Sequence, residues 1–268
     1  MYKDNERELP KAIREIVGDE PYTINSVGMS GSEVRIYETY VLKIQPESEE
    51  TDNEYHMVTW LKGFIPAPEI LVYFKEDGLA YTLMTKVEGS MVYTLKEKDP
   101  LQVLEIIAKG LKMLWSVDVS ECPYTTSRLE NRLKAAEKNV LKDLVDVEDA
   151  EPETFGPSGF KDPVELLAWL KDNKPEEDLV LTHGDFCLPN VFIKDGSISG
   201  FIDLGKMGPA DRWQDIAIVF RSLNHNYNDK YSDGKNPFYF TPEMLVDALG
   251  ISWDEKKYRY YLLLDELF

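Results

Sequence analysis

The chain has 268 residues, 43% of them hydrophobic and 29% charged, which is the balance of a globular protein with room for one large domain or two lobes. Its 49 acidic and 30 basic residues leave a formal net charge of −19, which weighs against nucleic acid and anionic membrane as partners because both would be repelled. No apolar run is long enough to span a bilayer, and residues 1–8 lack the apolar centre of a signal peptide. Two cysteines, Cys122 and Cys187, give neither a disulfide framework nor a metal-ligand spacing, so a cytoplasmic protein is expected.

Residues 1–88 read as a strand-rich region. A short N-terminal helix closes over Ile13 to Val17 and is ended by Gly18. Thr23 to Val27, Val34 to Tyr37, Tyr40 to Ile44, Ile70 to Phe74 and Ala80 to Met84 are β-branched or aromatic runs, with Gly31-Ser32 and Asp77-Gly78 as hairpin turns. Between them, Asp52 to Lys62 has helical spacing, with Tyr55, Met57, Val58 and Leu61 on an apolar face, until Pro66 and Pro68 stop it.

After Val87-Glu88-Gly89 the pattern becomes helical. Leu101 to Trp115, Arg128 to Asp143 and Pro163 to Lys171 are predicted helices, the last opened by Asp162-Pro163 as cap and first turn. The acidic, Pro- and Gly-rich segment 148–159 reads as a loop. Asp211 to Leu223, Pro242 to Leu249 and Asp254 to Leu267 follow as helices, with Ser252 to Glu255 in the form of a capping box and Asn224 to Phe238 as an irregular connection. A small β-rich part followed by a larger helical part suggests a cleft between lobes, divided near residue 88.

The chemistry concentrates between short strands. Leu179 to Thr182, Val191 to Ile193 and Ile198 to Ile202 flank His183-Gly184-Asp185 through Asn190 and Ile202-Asp203-Leu204-Gly205, with Asp195-Gly196 as a hairpin turn. Phosphoryl transfer needs an Asp beside the acceptor hydroxyl, then an Asn and a second Asp for the Mg²⁺ of a nucleoside triphosphate. Asp185 and Asn190 keep the spacing of the protein-kinase H-R-D-x-x-x-x-N motif, with Gly184 in place of Arg. Lys43, the only charge in Tyr40-Val41-Leu42-Lys43-Ile44, suits a Lys for the α/β-phosphates, and Glu54 on the next helix suits its partner. Ser30, in Gly28-Met29-Ser30-Gly31-Ser32, lies where a phosphate-covering loop would lie, although an ordinary hairpin fits those residues equally. Cys187 reads as a buried spacer, His183 as a brace of the catalytic loop, and Asp215 as a cap on that loop.

The chain resembles the aminoglycoside phosphotransferases, and within them the 3′-hydroxyl-specific (kanamycin kinase) branch. The resemblance is carried by His183 through Asn190, by Gly200 through Ala217, by Cys122-Pro123-Tyr124 and by the terminal Leu264-Asp265-Glu266-Leu267-Phe268. It implies an α+β, protein-kinase-like fold, with residues 1–88 as a nucleotide-binding lobe and 89–268 as a catalytic and substrate-binding lobe. It also implies transfer of the γ-phosphate of ATP or GTP to a cationic aminoglycoside, with Mg²⁺. Asp185 would be catalytic, and Asn190 and Asp203 would hold the metal. Lys43, Glu54 and Ser30 would serve the phosphates, with Met84, Thr85 and Val87 around the base. Asp265, Glu266, the Phe268 carboxylate, Glu151 and Glu153 would face the ammonium groups of the antibiotic, giving the acidic charge a use. Val41 stands where some relatives have an aromatic residue, Leu188 and His225 where some have acids, and Lys206 where others have Arg. A kinase for another small alcohol, of choline, homoserine or macrolide type, is the other enzymatic reading, and a non-catalytic binder is the reading of a different class.

Overall fold

The computed structural model describes residues 9–25, 32–95, 99–228 and 237–268. The expected turn residues Gly28 to Gly31, with Ser30, and the end of the first predicted strand lie outside the described residues. The chain begins with α1 (Lys11–Val17), stopped at Gly18 with φ 54°. Strands β1 (Thr23–Asn25), β2 (Glu33–Ile36) and β3 (Tyr40–Pro46) lead into α2 (Glu49–Trp60). β4 (Ile70–Glu76) and β5 (Leu79–Thr85) then complete an antiparallel sheet of order β1-β2-β3-β5-β4. The β4–β5 turn places Asp77 and Gly78 at φ 52° and 77°, the left-handed pair that a tight hairpin requires.

α2 starts a turn earlier than the apolar spacing predicts. Ser48 accepts a hydrogen bond from the Thr51 amide at 3.1 Å and donates its own amide to the Thr51 hydroxyl at 3.2 Å, a capping box built with Thr instead of Glu or Gln. Glu49, Glu50 and Asp52 then occupy the first turn, where the helix dipole favours anions.

Beyond the sheet come β6 (Ser90–Met91), α3 (Pro100–Trp115), α4 (Leu129–Leu141), α5 (Pro163–Asp172), β7 (Leu179–Thr182), β8 (Val191–Lys194), β9 (Ser197–Phe201), β10 (Gly208–Asp211), α6 (Trp213–Tyr227), α7 (Pro242–Leu249) and α8 (Glu255–Asp265). β8 and β9 form a hairpin on Asp195 and Gly196, with β6 added at its edge, and β10 pairs with β7. Three expectations are corrected here. Asp211 belongs to β10, so the following helix starts at Trp213; it runs on to Tyr227, because Asn226 and Tyr227 are buried against the core. The cap of α8 is Asp254, which accepts from the amides of Lys256 and Lys257, and not Ser252.

Two apolar clusters stabilise the fold. The smaller one packs Ile13 and Val17 of α1 against Leu42, Ile44, Tyr81 and Leu83 of the sheet. The larger joins α3 to α8 and also takes Met57, Val58 and Leu61 of α2. α2 therefore lies between β3 and β4 in sequence but packs its apolar face into the larger, helical core. Among the described residues, no helix is long and apolar enough to cross a membrane.

Candidate active site

The loop after β7 is shaped by its backbone. Gly184 has φ 83°, and an added Cβ would stand 2.2 Å from the Lys206 carbonyl oxygen, so the turn after Asp203 lies against it too closely for any side chain. The amides of His183 and Gly184 donate to Asp215 at 2.7 and 2.9 Å. Burial pushes the Asp215 pKa up to about 7 against the pull of those two hydrogen bonds. The His183 ring bridges the two motif loops. Its Nε2 bonds the Ile202 carbonyl at 3.0 Å and its Nδ1 accepts from the Asp185 amide at 3.3 Å. Those bonds suit the neutral Nε2–H tautomer, and burial lowers the pKa in the same direction. Asn190 turns its amide nitrogen to the Asp185 carbonyl and to Asp185 Oδ2, at 3.0 and 3.1 Å. Its Oδ1 is thereby the atom left for a cation.

From the sheet, Lys43 reaches Glu54 Oε1 at 2.7 Å and Asp203 Oδ1 at 3.0 Å. Burial works against the ammonium, but the two carboxylates hold its pKa above the ordinary lysine value. Lys43 in turn holds the Asp203 carboxylate below its ordinary value, the larger effect over burial. Asp203 sits in the left-handed region (φ 62°, ψ 56°), where a short polar side chain is tolerated. Glu54 also accepts from the Leu204 amide at 3.2 Å. One residue back on α2, the Asn53 amide donates to the carbonyls of Gly205 and Met207, each at 2.8 Å. Lys43, Glu54, Asp185, Asn190 and Asp203, far apart in sequence, thus meet at one place.

Around the hinge, Met84 is buried on β5 opposite Val41 of β3. The Thr85 amide is already spent on the Glu69 carbonyl at 2.9 Å, while the Val87 amide makes no hydrogen bond among the described residues. The Val87 methyls fill the space over Gly200. Cys187 is half-buried, and burial raises its thiol pKa well above the ordinary value, as suits an inert spacer.

The C-terminal acids are engaged by cations that the sequence reading did not single out. Arg221 on α6 pairs with Asp265 and, at 3.1 Å, with Glu266; Arg132 on α4 stands 3.7 Å from Asp265. Burial works to raise the Asp265 pKa, yet Arg221, Lys206 and Arg132 together hold it low. Glu266 also accepts from the Glu151 amide at 3.1 Å, and the Glu151 carboxylate meets His225 at 3.1 Å. The Phe268 ring lies 4.3 Å from the Arg132 guanidinium. Glu153 is exposed and its side chain bonds to nothing among the described residues. Leu188 is fully buried, so that position presents no charge. One signal for Arg221 was available: it is the only charge in the apolar run Ile216 to Leu223.

A Lys from a β-sheet paired with a Glu from the helix α2, set against an Asp–Asn loop and a second Asp, is the layout of a phosphotransferase with a protein-kinase-like fold. The chain belongs to the phosphotransferase enzyme family (APH), whose sequence model matches residues 22–245. It is 40% identical over 222 residues to an aminoglycoside 3′-phosphotransferase of Enterococcus faecalis, covering 82% of this chain and 79% of that one. Another, of Niallia circulans, is 35% identical over 277 residues and 99% of each chain. The crystal structure of an aminoglycoside 3′-phosphotransferase of type VIII matches with TM-score 0.75 and 26% identity over 96% of this chain and 98% of that one. An aminoglycoside phosphotransferase of Streptomyces rimosus matches with TM-score 0.78, also at 26% identity, over 96% of each.

Proposed function

We propose that this enzyme moves the γ-phosphate of ATP, or of GTP, to the 3′-hydroxyl of an aminoglycoside and so confers resistance. The observation that carries the reading is the Lys43–Glu54–Asp203 ion-pair chain, at 2.7 and 3.0 Å, facing an Asp185 fixed by His183 and Asn190. Asp185 receives the proton of the acceptor hydroxyl as its oxygen bonds to phosphorus and the bond to the nucleoside diphosphate breaks. Lys43 takes the α/β-phosphates; Ser30, expected from the sequence to serve them too, lies outside the described residues. The Asn190 carboxamide and the Asp203 carboxylate are a hard oxygen pair, and both His183 nitrogens are already bonded, so Asn190 and Asp203 are the residues that would hold Mg²⁺. Bound there, Mg²⁺ would neutralise charge on the transferring phosphates. Met84, Thr85 and Val87 border the base, with the Val87 amide as the free donor.

For the acceptor, Asp265, Glu266, Glu151 and Glu153 supply anions beside Phe268, with Arg221 and Arg132 holding the first two in place. Residues 1–88 form the nucleotide lobe and 89–268 the acceptor lobe, and the enzyme works in the cytoplasm where its nucleotide is found. A coupled assay with Mg²⁺ and ATP tests this with kanamycin, a 3′-deoxy aminoglycoside, choline, homoserine and a macrolide. Turnover is expected with kanamycin alone, and Asp185→Ala should lower it at least about a thousandfold with the melting temperature unchanged. Equal turnover of the 3′-deoxy compound, or turnover of a non-aminoglycoside alone, contradicts the reading.

A further inference from the structure

Glu50 is the acid on α2 that the site described so far leaves unused. It lies one helical turn before Glu54, and residues four apart share a helix face, so both carboxylates look towards the turn after Asp203. Glu54 is taken by Lys43. Glu50 packs on Gly205, where an added Cβ would be 2.5 Å from its Cγ and 3.0 Å from its Oε1. The other acids of the first turn are neutralised: Glu49 by Lys138 at 3.0 Å, and Asp52 by Tyr73 at 2.6 Å and Lys75 at 2.7 Å. Glu50 has no hydrogen bond or ion pair among the described residues; desolvation raises its pKa, Lys206 is the strongest charge acting on it and lowers it, and Asp203, Glu54 and Asp185 add smaller upward pushes.

This carboxylate lines a cleft of about 620 Å³ between α2, the segment 123–127 and α4, with Gly205 and Lys206 beneath it and Phe268 at one side. A volume in that range accommodates a small ligand or a part of a larger one. Four cations line the cleft: Lys138 is tied to Glu49, Arg132 lies under the Phe268 ring beside Asp265, and Lys134 and Lys206 complete the set. Tyr124, held by stacking on His56 at 5.0 Å, and the side chains of Thr125 and Asn131 give the far wall a ring face and polar groups suited to a sugar. Glu50 is an exposed, unpaired acid on the wall of this cleft, so a ligand's cation reaches it without displacing a partner.

We propose that Glu50 is a specificity-determining residue that binds an ammonium group of the acceptor, and that the α2–α4 cleft receives the part of the acceptor extending beyond the reacting hydroxyl. This rests on the reading of the acceptor as a polycationic aminoglycoside. It adds a contact from the helix that also positions Lys43, so that acceptor binding and phosphate binding draw on adjacent turns of one element.

The test compares wild type, Glu50→Gln and Glu50→Asp on a series of aminoglycosides in which one ammonium at a time is replaced by hydroxyl. With the parent compound, Glu50→Gln should raise the acceptor KM about tenfold, with kcat and the ATP KM changed less than about twofold. Glu50→Asp should be intermediate. For one member of the series, the one lacking the partner ammonium, the penalty of Glu50→Gln should vanish, a coupling that a structural role cannot produce. An unchanged acceptor KM, the same penalty across the whole series, or a parallel rise in the ATP KM overturns the proposal while leaving the proposed function standing. Absence of wild-type turnover with every aminoglycoside overturns both.

Discussion

Asp185 is held by three contacts from two side chains: the His183 ring at its amide, and the Asn190 amide at its carbonyl and carboxylate. Such fixation matters because phosphoryl transfer gains mostly from positioning and electrostatics. In the proposed site, the Lys43–Glu54 pair is the matching element for the nucleotide. Glu54→Gln keeps the shape but removes the charge that holds Lys43, and steady-state kinetics should show kcat/KM for ATP falling about ten- to hundredfold. Asp215 gives a pH prediction. Its folded pKa of about 7 lies above the ordinary 3.8, so the fold favours the neutral acid. The stability that this contributes is complete below about pH 4 and is lost as pH rises through about 7. Urea unfolding should therefore show wild type losing stability relative to Asp215→Asn between those values; parallel curves would contradict the assignment. Lys43, Asp185, Asn190 and Asp203 were legible in the sequence because their chemistry fixes residue type and spacing. Arg132 and Arg221 were not, because the ion pairs that give them meaning join residues brought together only by the folded α4, α6 and C-terminus.

At the scale of elements, turns and caps decided where the sequence could be read. Asp77-Gly78 and Asp195-Gly196 both adopt the left-handed pair that their composition demands, and the hairpins they close stand where the sequence places them. α2 and α6 were misjudged at their ends for different reasons. A Thr replaces the usual acidic or amide residue of the α2 capping box, and the polar-looking end of α6 is helical because tertiary burial of Tyr227 overrides local composition. Gly184 shows what one turn position controls. Gly184→Ala would need both a positive φ and a clash with the Lys206 carbonyl to be relieved, at a cost of about 2–3 kcal/mol. A thermal melt should fall by about 5–10 °C. Activity should fall further than stability, because the displaced loop carries Asp185.

At the scale of the molecule, the net charge of −19 weighs against polyanionic partners without choosing a partner. The folded chain sorts that charge. Some acids are spent on internal pairs with Lys75, Lys138, Arg221 and Lys43, while Glu50 on the cleft wall is not. α2 is the piece that unites the two halves, since it lies between β3 and β4 in sequence, shares the larger apolar core, and bonds to the turn after Asp203 through Asn53. That arrangement could not be seen from periodicity, which shows that α2 has an apolar face but not which lobe covers it. The central claim is transfer of phosphate to one hydroxyl by the Asp185 loop. The most direct measurement is ³¹P–¹H correlation NMR of the product made from kanamycin, ATP and Mg²⁺. A single phosphate ester coupled to the 3′ proton, absent with Asp185→Ala, is the predicted result. An ester at another position, or the same product from the Asp185→Ala enzyme at an undiminished rate, would contradict it.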